Sequence, residues 1–591
     1  MKKNMKKFVK ASAALLLATM NFVGCGGTVI EKFDGNKTQI YVNVFNGGLG
    51  IEWMEDLKNQ FNAANTEYEI ALRPKKMTAP EIVTDLQDGD AYADIYFGTG
   101  VNYQLGIYRD YFEDLSDLLT VEPDGAGTGT IQSKMVEYDA WMAMASKYGQ
   151  GMYVFPNADT IYGMFFDYQL FVENNWLAYA TSADEAALTA QGITYTKQGA
   201  ILKFASAQGK VNYKEGDILL TAGKDGKFGT YDDGQPTTVE EFDEMLNNII
   251  YGDKKAKSFL YTPAYSNYLN DMQIAIYGQY IGMDKFDVLF DFDSNGQTID
   301  MHNADAKTIS VSNGYDVYDS EAVYQSLAFV KKYMTSSSVD SNTLLESSYS
   351  HTDAQNDYLL SYKKETGFPA ILCEGNWWEN EAKAMFAQLE SGRKYGEREY
   401  RMFVYPTMEG QATAADKTVI GAGDVQGVVV AKQKDAKKLE KIKEFLVLTV
   451  QEENLKKFTQ FTGCAKLFDY EMNESEVSVL TPMARNCWEM RSDKEHISIA
   501  RGKVWQAQNP FIFTSDFTYN TYVPMKRGIT YTLYMDRFMR ELDESAAPNE
   551  TNPLAVMELL YSTKSDLLGY SATEWSNFIQ LAQAQGFYTD L

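Results

Sequence analysis

Gln39-Ile-Tyr-Val-Asn-Val-Phe45, broken at once by Asn46-Gly-Gly-Leu-Gly50, is the stretch from which the fold can be read. Few polar residues interrupt it, as expected of a strand buried on both faces of a parallel sheet. A helix is expected over residues 51–64, where Ile51, Met54, Leu57 and Phe61 recur at helical spacing. Residues 68–72 read as a second strand. Thr78-Ala-Pro-Glu81 then places a capping box and an early proline at the start of a second helix. Residues 93–97 read as a third strand, stopped by Gly98-Thr-Gly100. Strand, helix, strand, helix, strand in that order is the pattern of a parallel sheet covered by helices, hence an α/β fold.

Open α/β sheets bind ligands at the carboxyl ends of their strands. Two loops fall there, residues 46–50 and 98–103. Their glycines let backbone amides approach a ligand closely, which makes Asn46, Gly47, Gly48, Thr99 and Tyr103 candidate binding groups. Trp53 lies off the apolar stripe of the following helix and is open to either the cleft or the core. A dinucleotide site needs GxGxxG, but counting from Gly48 the third glycine position holds Trp53. No Walker lysine follows either loop.

The full chain has 591 residues, 45% of them apolar, enough for more than one core. Its formal charge is -27. Such a surface repels nucleic acid and anionic headgroups and suits an uncharged or cationic ligand. Three scattered histidines, His302, His351 and His496, give no HxxxH or HExxH spacing, so a histidine zinc site or a catalytic triad is unsupported. Cys373, Cys464 and Cys487 read as buried thiols, with a Cys464–Cys487 pair as the alternative; three are too few for a disulfide framework.

Residues 1–25 carry a basic head (Lys2, Lys3, Lys6, Lys7, Lys10), a short apolar middle with Asn21 inside it, and Gly24-Cys25-Gly-Gly27. This is the plan of a secretory signal, and it is short for a spanning helix. The cysteine after the cut site resembles the lipobox of bacterial lipoproteins, although Phe22 stands where that pattern usually has Leu. The resemblance implies acylation at Cys25, with residues 26–37 as a spacer and the outer face of the cytoplasmic membrane as the location.

Further segments resemble, in the right order, the family 1 extracellular solute-binding proteins that serve carbohydrate ABC importers. They are Gly151-Met-Tyr-Val-Phe-Pro156 with residues 162–171 and Asn174-Asn-Trp176, then PAILCEGNWWE at 369–379, residues 400–406, and residues 418–432 with a helix expected over 434–461 and Thr462-Gly463. The chain departs from the family at Asp167, where Asn is frequent, and in an insertion over about 181–251. The resemblance implies a two-lobe periplasmic-binding-protein-like fold with a hinge and a ligand cleft. Lobe 1 would be 38–155 with 409–475, and lobe 2 would be 156–408 with 476–591. It also implies a monomer, an oligosaccharide as ligand, permease subunits as partners and no catalysis.

Sugars offer hydroxyl edges and C–H faces, so a site wants aromatic platforms and a few polar groups. Trp377 matches the family's stacking tryptophan, with core packing as the other reading. Trp378 would point to the opposite face of a strand. Asp159 and Thr160 fall at the first crossing, as ligand contacts or hinge residues. Asp424, in Gly421-Ala-Gly-Asp424, would accept sugar hydroxyls or cap a turn. No cofactor is required. Asp225, Asp232 and Asp233, spaced by glycines, suggest a structural calcium loop and resemble the DDG-x-P segment of related proteins through Pro236; a solvated turn is the alternative. Asp291-Phe-Asp-Ser-Asn-Gly296 starts like an EF-hand but has His302 at the twelfth position, so a hairpin turn is expected. A surface glycoside hydrolase using a carboxylate pair, or an adhesin, are the rival readings. Replacing Cys25 with Ala is expected to move the mature protein from the membrane to the soluble fraction without changing its ligand affinity, as fractionation and calorimetry would show.

Overall fold

The computed structural model describes residues 36–89, 91–98, 109–139, 141–142, 151–206, 213–260, 267–333, 338–340, 349–501 and 572–584. Cys25, Thr99 and Tyr103 lie outside the described residues. The opening strand is β1 (Thr38–Val44), followed by α1 (Glu52–Ala64), β2 (Tyr68–Pro74), α2 (Ala79–Gln87) and β3 (Ile95–Gly98). β1 pairs in parallel with both β2 and β3, which is the arrangement read from the sequence. Asn43, the polar residue within β1, is buried, and its amide donates to Arg73 O and Lys75 O (both 3.0 Å). The Thr78–Glu81 capping box closes: the Thr78 N–H and Oγ1 both reach Glu81 Oε2, at 2.7 and 2.9 Å.

Two thirteen-residue strands carry the sheet onward, β4 (Phe155–Asp167) and β8 (Thr418–Val430). They run antiparallel, and β8 slips register on both sides of Val425, opposite Asp159. The end of β8 pairs with β3. The second half of β4 pairs with β6 (Pro369–Gly375) and β7 (Tyr400–Met402), and β6 pairs with β5 (Lys257–Leu260). β9 (Ala465–Lys466) lies beside the middle of β4, and β10 (Ile497–Ala500) beside the start of β8. Among the described residues ten strands thus form one mixed sheet, and β4 and β8 are the ones that run through both of its halves.

Each half has its own core. Val42, Phe61, Phe97, Phe155 and Val428–Val430 meet Phe445 and Phe458 in the first. In the second, successive residues of β4 face opposite ways, as strand geometry requires. Phe166 packs with Phe171, Phe259 and Phe403 on one face, while Phe165 packs with Trp378, Phe386 and Met402 on the other. Every residue of β4 is buried, because both faces are covered.

The helix expected over 434–461 is two helices, α4 (Ala436–Thr449) and α5 (Glu452–Thr462). Leu446 and Leu455 both enter the first core. On one continuous helix, nine residues at about 100° each would set them roughly half a turn apart, so the break at residues 450–451 turns both inward. Gly463 then ends α5 at φ 72°, a left-handed cap. The segment after Asp291 also differs from expectation. The hairpin is made by Thr298–Met301 and Ala304–Thr308, turning at His302 and Asn303, whereas Asp293 caps a tight turn by accepting the Asn295 N–H (2.8 Å).

The insertion divides. Leu188, Ile193, Leu202, Phe204, Tyr213 and Leu219 form a small separate core. Helix α3 (Val239–Tyr251) instead sends Phe242, Met245 and Ile249 into the second core. Cys373, Cys464 and Cys487 are buried free thiols. Among the described residues no helix is long and apolar enough to cross a membrane. Phe445, fully buried against Phe61, is a test of the first core. Phe445→Ala is expected to lower stability by about 3–5 kcal/mol, read as a shift of the urea midpoint of that half.

Candidate functional site

β6 ends at Gly375, and Asn376 fixes the turn beyond it. Its N–H donates to Ile161 O (2.9 Å), its Oδ1 accepts the Ile161 N–H (3.1 Å), and its Nδ2 donates to Gly463 O (3.2 Å). This ties the end of β6 to β4 and to the cap of α5. Trp377 is thereby set at the junction of the two halves, half-buried against the first core although it is carried by the second. Tyr162 meets it edge-on at 5.0 Å. A Cβ at Gly48, Gly375 or Gly423 would press on the Trp377 ring, so three glycines from three elements make room for one indole. Asn46 is exposed at the rim of the loop, and Gly47 and Gly48 are partly exposed. From the other side Asn380 Nδ2 donates to Gly48 O (2.9 Å), and Lys383 Nζ stands 3.7 Å from Glu52 Oε1. Thr160 is buried beside Gly423.

Three sequence candidates belong elsewhere. Trp53 is 3% exposed and packs edge-on against Phe97 and Phe458, at 5.7 and 5.1 Å, in the first core. Trp378 is not on a strand; it opens the short helix Trp378–Glu381 and is fully buried against Tyr400 and Phe386. Asp159 is no open ligand contact, because its carboxylate is covered by Arg491 Nη2 (2.5 Å) and Arg501 Nη2 (3.0 Å). Arg501 Nη1 also holds Glu137 Oε1 (2.7 Å). Burial works to raise the Asp159 pKa, but the two guanidinium charges outweigh it and hold it below the usual range. Asp424 lies within β8; its side chain is outside the described residues.

A polar cluster beside Trp377 was not found from the sequence. Gln355 Nε2 donates to Glu381 Oε2 (2.8 Å) and reaches Glu374 Oε2 (3.5 Å). His351 Nε2 stands 3.5 Å from Glu381 Oε1. Burial opposes the His351 charge, yet Glu381 and Glu374 outweigh it and raise its pKa, while Lys76 from the first half acts in the other direction. Gln355 Oε1 and Asn380 Oδ1 are buried acceptors without a hydrogen-bond partner. The available signal was weak: His351 and Gln355 share a helix face at i, i+4, and Glu374 precedes the Gly-Asn-Trp run.

The calcium reading needs oxygens that converge on one point. Asp232 Oδ2 instead accepts the N–H groups of Lys224 (2.8 Å) and Asp225 (3.2 Å). Asp233 Oδ2 accepts Tyr213 Oη and the Gly229 N–H, both at 2.7 Å. No oxygen set drawn from Asp225, Asp232 and Asp233 lies within 4.8 Å, so the three do not fit a shared calcium ion. Burial, with Asp225 and Asp233 beside it, pushes Asp232 up to about 8, and burial pushes Asp233 up to about 6.

No family model and no curated protein matches the chain. Solved structures match over most of it at low identity. A chitin oligosaccharide binding protein is 12% identical, with a TM-score of 0.49, over 90% of this chain and 100% of that chain. The apo form of RafE from Streptococcus pneumoniae is 13% identical, with a TM-score of 0.45, over 88% and 100%. A probable secreted solute-binding lipoprotein from Streptomyces coelicolor is 11% identical, with a TM-score of 0.46, over 87% and 99%. At these scores the architecture rests on the strand order described above.

Next to the site, Lys466 is buried, with Nζ donating to Asn157 Oδ1 (2.7 Å) and lying 5.1 Å over the Trp53 ring. Burial pushes its pKa down from 10.5 to about 7. Between these values the unfolded chain holds a proton that the folded chain has released, so this residue's contribution to stability rises with pH at up to about 1.4 kcal/mol per unit. Lys466→Met is therefore expected to be more stable than the natural protein near pH 7, with the gap narrowing toward pH 10 in urea titrations; a gap independent of pH would refute the assignment.

Proposed function

We propose that the protein is an extracytoplasmic solute-binding protein, held to the membrane by a lipid at Cys25, that captures an oligosaccharide for an ABC importer. The observation that carries this reading is the placement of Trp377. It is a flat apolar platform, half-buried at the meeting of two separately packed halves. Sugar C–H faces would stack on the indole. The ordered resemblance to family 1 binding proteins supports the same role.

The work is done by differential affinity. β4 and β8 are the strands common to both halves, and the irregular pairing around Val425 makes their middle the place to bend. A ligand that touches both halves favours the closed arrangement by the difference between its affinities for closed and open forms. Permease subunits then read the closed form. The chain makes and breaks no bond, and it acts as a monomer. A lipid anchor at Cys25 keeps it near the transporter and raises its effective concentration there.

Calorimetry against a panel of neutral oligosaccharides tests the proposal. At least one glycan is expected to bind stoichiometrically, and Trp377→Ala is expected to weaken it by about tenfold or more. Silence across the panel would overturn the reading, and turnover of labelled glycan would favour a hydrolase.

A further inference from the structure

The two arginines that cover Asp159 also wall a cavity of about 610 Å3. That size falls within the range of small-molecule sites, about 300–1,000 Å3. Val136 and Phe468 reach it from the first half, and residues of α6 (Pro482–Ser492) and β10 close it from the other side. Successive residues of a strand face opposite ways. Thr160 of β4 lies beside Gly423, which the Trp377 ring also approaches, whereas Asp159 turns to Arg491 and Arg501. The cavity is therefore on the face of the crossing strands away from Trp377.

Its wall holds an unused donor. Arg491 Nη2 meets Asp159 Oδ2 (2.5 Å), but Nη1 of the same guanidinium is buried without a hydrogen-bond partner among the described residues. A buried donor in that state is costly, and an oxygen brought by a ligand would relieve it. The surroundings select against an anion as the bearer of that oxygen. Arg501 Nη1 is held by Glu137 Oε1 (2.7 Å), and Lys494 Nζ by Asp469 Oδ1 (2.9 Å) at the mouth, where Glu471 is also exposed. With Asp159, four carboxylates stand against three cations, which leaves no positive surplus. Apolar surface comes from Tyr470 and Trp488, whose ring centroids are 5.3 Å apart.

We propose that this cavity is a second ligand site, and that it takes a small uncharged sugar of one or two rings. Its C–H faces lie on Tyr470 and Trp488, and a hydroxyl or ring oxygen accepts from Arg491 Nη1. The site is separate from the cleft at Trp377 and does not depend on what binds there. A ligand in it touches both halves from behind β4 and β8, so it biases the same hinge from the opposite face.

The test uses the full chain carrying Trp377→Ala, which removes the cleft's platform. Calorimetry would measure binding of glucose, galactose, xylose, maltose and sucrose, with glucuronate and galacturonate as charged counterparts. One equivalent of at least one neutral sugar is expected to bind, and the uronates at least tenfold more weakly than that sugar. Arg491→Lys keeps a cation on Asp159 but withdraws the second arm of the guanidinium, and is expected to weaken binding at least tenfold. Ser492→Trp, at an exposed position on the lip, fills the mouth and is expected to do the same. Circular dichroism confirms that each variant is folded; should Arg491→Lys not fold, Ser492→Trp decides. Silence of the Trp377→Ala protein across the neutral sugars, equal affinity for the uronates, or unchanged binding in folded Ser492→Trp protein would overturn the proposal.

Discussion

A single buried carboxylate organises the middle of this molecule. Asp159 sits at the centre of β4 with its side chain fully covered, where an unpaired charge would cost several kcal/mol. It is met by Arg491 from the end of α6 and by Arg501 just past β10, and Arg501 also reaches Glu137 in the first half. One charge thus requires α6 and β10 to pack on the crossing strands, and ties the first half to them. Opposite it, β8 loses regular register. The place where the sheet is least regular is the place where its charges are most tightly held.

Around this centre the two halves meet through small residues and one large one. Gly48 and Gly423 leave space that Trp377 fills, and Asn380 reaches across to Gly48. The buried apolar residues of the two halves form separate clusters, the arrangement of two bodies that hinge closure uses.

How much of this was legible from the sequence depended on distance along the chain. The first five elements were read correctly because their apolar spacing and their caps are local. Trp377 stood out for the same reason, through the Gly-Asn pair before it. Trp53 stayed open between cleft and core, and Trp378 was misplaced, because their neighbours, Phe458 for one and Tyr400 for the other, come from other segments. Asp159 read as a ligand contact or a hinge residue, because its partner Arg501 is 342 residues away. The cluster of His351, Gln355, Glu374 and Glu381 is scattered over three elements and has no spacing of its own. The split between α4 and α5 was hidden because both parts are good helix; only the need to bring Leu446 and Leu455 to one core reveals it.

The path of the chain has a consequence for its synthesis. β1, β2 and β3 are made first, but β3 pairs with β8, and the core beneath them is completed by α4 and α5. Some 300 residues are therefore made between an exposed strand edge and the strand that covers it. Until then the growing chain presents an unpaired, apolar β edge, the kind of surface on which chains aggregate. The half that begins the protein is the half that must wait, and holding it apart from its neighbours falls to whatever accompanies the chain while it grows.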